Sequence, residues 1–209
     1  MEYNEKQLAI INSAEKLFAV NGYDGTSVRD IAHQAGVNLA MISYYFGSKE
    51  KLMEAVFEQR SAHMRLKVEN ILSDSTLSQL AKVNILIDDY VDKLITQQEF
   101  HKIMMREQLI EKSAPIAALI HDLKKRSLDS IRKLIQDGQR HGEFRKNIDV
   151  VMMMTTMVGT VSQMISSQRF YREVNRMEEM PEPDFQKYLR KKLSTHLKYL
   201  FKAALTNEA

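Results

Sequence analysis

Residues 26–52, TSVRDIAHQAGVNLAMISYYFGSKEKL, hold two short amphipathic patterns that few folds can satisfy together. Val28, Ile31, Ala32 and Ala35 recur at three- and four-residue spacing and so share one helical face. Thr26 and Ser27 stand before that face, where a side-chain oxygen can accept from the first free backbone N–H groups. Gly36 follows the last periodic residue, where a residue without a Cβ most easily turns left-handed. Asn38 is placed to cap a second helix, with Ile42 and Phe46 facing inward. Leu39, Ala40, Met41, Ser43, Tyr44 and Tyr45 cover the rest of its surface. Two helices joined by a short turn containing Gly form a helix-turn-helix pattern. The major groove of DNA admits a helix of this width.

The flanking sequence is helical in both directions. A first helix from about residue 5 to 20 carries Leu8, Ile11, Ala14, Leu17 and Phe18 as its stripe. Ser48 caps a long helix to about residue 72, with Leu52, Ala55, Val56, Ala62, Leu66 and Ile71 as buried candidates. Residues 77–97 and 98–111 continue the period, and Pro115 suits the first turn of the next helix. That helix runs towards Gly138 and Gly142, and its length predicts a bend or break. Ile148 opens a Met-rich helix reaching about residue 172. Residues 178–184, with Pro181 and Pro183, read as a loop, and Asp184 as the cap of the last helix. Seven Gly, three Pro and no alternating apolar runs in 209 residues predict an all-α fold.

The charge balance restricts how such a chain could hold nucleic acid. The net charge is +3, yet residues 1–54 carry five Lys or Arg against seven Asp or Glu. Phosphate contacts would then depend on a few placed groups and on helix N-termini, not on bulk charge. Cysteine is absent, which excludes disulfides and thiolate metal sites and fits a reducing cytoplasm. The N-terminal sequence has no secretory pattern, and the most apolar run, 150–161, is too short to span a bilayer.

The second half offers three further patterns. Met152, Met153, Met154, Met157 and Met164 either fill core gaps or line a chamber that re-packs around apolar molecules. On the second reading, Tyr90, Phe100, Met104, Met153, Met157 and Gln163 are the candidate ligand contacts. Thr155, Gly159, Ser162 and Ser166 form a ridge of small side chains. Paired with Leu189, Leu193, Leu197 and Leu200, it suggests a four-helix dimer core or a close contact within one chain. The basic residues of the last helix, Lys187 to Lys202, read as a solvated face opposite its leucines. Six scattered histidines show no metal-binding spacing, and no nucleophile, phosphate-loop or dinucleotide motif occurs, so neither a cofactor nor enzymatic activity is expected.

Three helices ending in Tyr45-Phe46, then Ser48-Lys49-Glu50, resemble the tetracycline-repressor (TetR/AcrR) family. Ala14, Phe18, Gly22, Tyr23, Thr26, Ile31, Ala32, Ala35, Gly36, Val37, Ile42 and Leu52 also carry the resemblance, over about the first 55 residues. It implies a DNA-binding domain over 1–50, with its helix-turn-helix core at about 27–46. A long helix would join this to a helical ligand-binding and dimerisation domain over 51–209. It further implies a homodimer on a palindromic double-stranded operator, acting as a repressor released by a small-molecule effector, with no membrane partner. Thr26, Ser27, Tyr44, Tyr45 and Lys49 are the implied phosphate contacts, and Asn38, Leu39, Ala40 and Met41 the implied base readers. Ser43 stands where the family often has Tyr, which shortens one contact. The apolar reading edge cannot form Arg–guanine or Asn–adenine pairs, so thymine methyls and DNA shape gain weight. A protein that uses DNA only as a locator for another protein is the competing expectation.

Overall fold

The computed structural model describes residues 3–110 and 114–206, and of residues 63 and 64 the backbone only. Among the described residues there are ten helices and no strand. They run α1 (Glu5–Asn21), α2 (Val28–Ala35), α3 (Leu39–Phe46), α4 (Lys49–Ser73) and α5 (Gln79–Thr96). Then follow α6 (Gln98–Ile110), α7 (Ala114–Arg140), α8 (Val150–Ser166), α9 (Gln168–Val174) and α10 (Glu182–Leu205). Contacts divide the chain into two compact units, 1–67 with 98–125, and 68–97 with 126–209.

In the first unit α1 packs on α2 and α6, and α2 packs on α3. The stripe of α1 supplies Ile10, Ile11, Ala14 and Phe18 to a core with Ile31, Ile42, Leu52, Val56 and Phe57. Phe100 and Ile103 of α6 and Ile116 and Ile120 of α7 close it. Phe57 meets Phe100 edge to face, with ring centroids 5.0 Å apart. Glu15 is buried beside this core, and Arg60 of α4 neutralises it through a forked contact, Nε lying 3.1 and 2.9 Å from its two oxygens. The middle of α4 is thereby fixed to α1.

The second unit is built on α5 and α10, with α8 packed against both. Val83, Ile87, Val91 and Leu94 of α5 face Phe185, Leu189, Leu193, Leu197 and Phe201 of α10 in one core. Asp88 accepts hydrogen bonds from Ser194 and Lys198 of α10, and Asp92 forms an ion pair with Arg190 at 2.6 Å. The apolar seam between the two helices therefore carries a polar margin. Glu143 caps α5 from outside by accepting from the Gln79 and Leu80 amides at 2.8 and 3.3 Å.

Four expectations are revised. α7 is unbroken over 27 residues, as no Pro or Gly interrupts it between Ile116 and Asp137. The Met-rich helix ends at Ser166, and α9 departs from it at 74°. Ser166 and Ser167 donate back to the Ser162 and Gln163 carbonyls at 2.8 and 2.7 Å, which bends and ends the helix. The last helix starts at Glu182, before Asp184, because Pro183 in a first turn forfeits no helical hydrogen bond. Leu66 is 58% exposed and belongs to neither core. Residue 111, the expected end of α6, lies outside the described residues.

Candidate nucleic-acid interface

The caps at the helix ends set the geometry of α2 and α3. Ser27 Oγ accepts from the Asp30 amide at 3.1 Å, and Asp30 Oδ2 accepts from the Ser27 amide at 3.0 Å and its hydroxyl at 2.6 Å. The Ser27 hydroxyl, and then its amide, hold the Asp30 carboxyl below the ordinary carboxylate range. Gly36 ends α2 at φ 65°, ψ 33°, where a side chain would be strained. Asn38 Oδ1 then accepts from the Ala40 amide at 2.9 Å, fixing the start of α3. Ile42, 2% exposed, anchors α3 in the core.

With α3 so fixed, its outward residues are Leu39, Ala40, Ser43 and Tyr44. Tyr44 is 83% exposed and stands edge-on to the half-buried Tyr45. Ser27 and Asn38 are exposed at the two caps, and Met41 is half-buried. Eight of the ten expected DNA-contacting residues thus lie on α3 or at the N-caps of α2 and α3, while Thr26 and Lys49 are engaged within the fold. Thr26 is 1% exposed, and its hydroxyl donates to the Gly22 and Leu17 carbonyls, 2.8 and 3.2 Å away. Lys49 Nζ donates to the Tyr23 and Thr26 carbonyls at 2.9 and 3.0 Å and lies 4.2 Å over the Tyr23 ring. Both side chains therefore brace the turn that delivers α2. Arg29, exposed in the first turn of α2, was not among the expected contacts. Its signal was in the sequence, as it is the sole Lys or Arg between Lys16 and Lys49.

The expected ligand contacts divide between the two units. Phe100 and Met104 belong to the core of the first unit, Tyr90, Met153 and Met157 border that of the second, and Gln163 is exposed. A cavity of about 320 Å³ in the second unit is lined by Arg132, Ile135, Gln136, Gln139 and residues 148–151, and none of the six is there. Burial raises the Tyr90 hydroxyl well above the ordinary tyrosine range.

The residues of the expected dimer face divide between the interior and the surface. Leu189, Leu193 and Leu197 are at most 3% exposed and face the interior with α5, with Leu200 half-buried beside them. Ser162 is also buried, while Thr155, Gly159 and Ser166 are exposed. Among the described residues no group of three His, Asp or Glu could hold a metal, and no single helix is long and apolar enough to cross a membrane.

Comparison with known proteins places this architecture. Residues 10–56 match the family described as bacterial regulatory proteins, tetR family, and residues 80–192 match the tetracyclin repressor-like C-terminal domain. The chain belongs to the tetracycline-repressor family of transcriptional regulators. It is 32% identical over 139 residues to the probable HTH-type transcriptional regulator YttP of Bacillus subtilis, covering 65% of each chain. It is 23% identical over 162 residues to the fatty acid metabolism regulator protein of the same organism, covering 78% of this chain and 82% of that one. Among solved structures, the ketosteroid transcriptional regulator KstR2 of Mycobacterium tuberculosis superposes with a TM-score of 0.72 at 21% identity, covering 99% of this chain and 98% of that chain. FadR of Bacillus subtilis in complex with stearoyl-CoA gives 0.69 at 22% identity, covering 94% and 98%. At these identities the likeness shows the fold.

Proposed function

We propose that the chain is a ligand-responsive repressor. It binds a palindromic operator as a homodimer in the cytoplasm and is released by a mostly apolar small molecule. Residues 1–50 carry the DNA contact, and residues 51–209 carry effector binding and dimerisation. The observation that bears most weight is the outward face of α3, Leu39, Ala40, Ser43 and Tyr44, on a helix fixed by its caps and by Ile42. In a two-fold dimer the two α3 helices address half-sites about 34 Å apart, or a multiple of that distance.

The dimer face is the exposed side of α8, where Val151, Met152, Thr155 and Gly159 lie in solvent, and not the leucine stripe of α10. Open space surrounds the position a Cβ would take at Gly159, so another backbone can approach. The apolar effector is supported by Met153, Met157 and Met164 at the margin of the second core, since unbranched thioethers re-pack readily. A fatty acyl thioester is the first class to try, because a structural neighbour is a complex with stearoyl-CoA. The effector acts by preferring the conformer that cannot hold DNA, and about a 10⁴-fold preference shifts that population almost completely. Titration of fluorescent duplex from the chain's own upstream region tests this. Two chains per duplex and release by an acyl-CoA are expected; equal affinity for a scrambled duplex would refute operator binding.

A further inference from the structure

Resting on the reading that α3 enters the major groove, we infer that it recognises thymine 5-methyl groups and that Leu39 makes the contact. Direct reading of guanine uses an Arg or Lys fork, of adenine a carboxamide, and of cytosine a carboxylate. From Leu39 to Phe46 the sequence contains none of these. The carboxamide at the helix start belongs to Asn38, whose oxygen is engaged by the Ala40 amide. That bond takes one of the oxygen's two lone pairs and turns the carboxamide back onto the helix start, where it serves as a cap and not as a free fork for adenine.

What the first turn of α3 presents instead is an isobutyl group, Leu39 at 38% exposure, beside the methyl of the exposed Ala40. Helix N-terminal residues are the ones that approach base edges in this mode of docking, and the thymine methyl is the apolar group displayed there. Leu39 cannot rotate into the interior, because Ile42 and the Asn38 cap already fix which side of α3 is buried. Its apolar surface gains from burial only against a partner. The competing reader is the Arg29 guanidinium on α2, which would select guanine.

Duplexes enriched by the full chain from a randomised pool can be remade with deoxyuridine for thymine, which removes the methyl and keeps the pairing. Each contacted methyl removed should weaken binding about four-fold, and a symmetric pair about fourteen-fold. Leu39→Ala should bind thymine and uracil duplexes alike, with an unchanged melting midpoint. Equal binding of both duplexes by the unaltered chain would overturn the inference, as would persistent discrimination by Leu39→Ala. A loss confined to 7-deazaguanine duplexes would also overturn it and assign the reading to Arg29. Failure to enrich any duplex would refute operator binding itself, a distinct outcome.

Discussion

The apolar edge of α3 and the leucine stripe of α10 look alike as sequence, and the fold uses them in opposite ways. In α10, Leu189, Leu193 and Leu197 find Val83, Ile87 and Val91 across the interface and disappear into a core. In α3, Ile42 takes the inward position, and Leu39, Ala40 and Tyr44 remain on the outside. Whether an apolar residue serves stability or recognition depends on what lies opposite, and its own chemistry does not say. The two stripes also differ in how their surroundings fix them. α3 is fixed by caps at both ends of an eight-residue helix, and α10 by 24 residues of packing along α5 and α8.

The sharpest test of that contrast places one charge in each stripe. Leu193→Asp buries an unpaired carboxylate and should cost about 4 kcal/mol or more, read as loss of the cooperative thermal transition. A folded monomer from the same substitution would instead return Leu193 to a dimer face. Leu39→Asp should melt like the unaltered chain and lose DNA affinity, by like-charge repulsion from the duplex.

A smaller effect is expected at the brace behind α2. Lys49→Met removes two charge-assisted bonds to backbone carbonyls and should lower stability by about 1–3 kcal/mol in denaturant titration. DNA affinity should fall with an unchanged salt slope; a slope shallower by about one unit would restore Lys49 to the phosphate contacts. Ser27→Ala, which breaks the capping box of α2, should cost about 1 kcal/mol by the same measurement.

Two finer predictions follow. Burial holds the His101 imidazole below the ordinary histidine range, and its Nε2 has no hydrogen-bond partner. The unfolded chain therefore takes up the proton first, so this residue lowers stability as pH falls below about 6.5. His101→Gln should flatten the loss of urea midpoint between pH 7 and pH 5.5, and an identical loss would show that His101 titrates alike in the folded and unfolded states. The smallest change is Tyr44→Phe, at an 83% exposed position. It should leave the melting midpoint unchanged and weaken DNA binding uniformly across sequences, as a phosphate contact does.

Much of this architecture was legible in the order of residues. Asn38, Gly36 and Ser27 act locally, so their capping roles follow from their neighbours in sequence. The stripes of α1, α5 and α10 likewise follow from helical period alone. Illegible were features that depend on distant partners or on competing local bonds. Thr26 reads as a cap until the Gly22 and Leu17 carbonyls are seen to hold its hydroxyl. Nothing between residues 98 and 110 announces that Phe100 and Ile103 complete the core of α1. The double serine that ends α8 was a signal, but serine within a helix bends it only when the hydroxyl turns back on the chain.

One consequence concerns the grafting of this reading head onto foreign bodies. The Arg106 guanidinium of α6 lies over Gly22, where φ is 78° and a Cβ would sit 2.5 Å from its central carbon. A chimera spliced after the fourth helix begins would carry Ile10, Ile11 and Gly22 but leave behind the lid they fit. Transplants that succeed will be those in which residues 98–110 travel too, or whose recipient already has a long cation and an aromatic ring at the matching turns of α6.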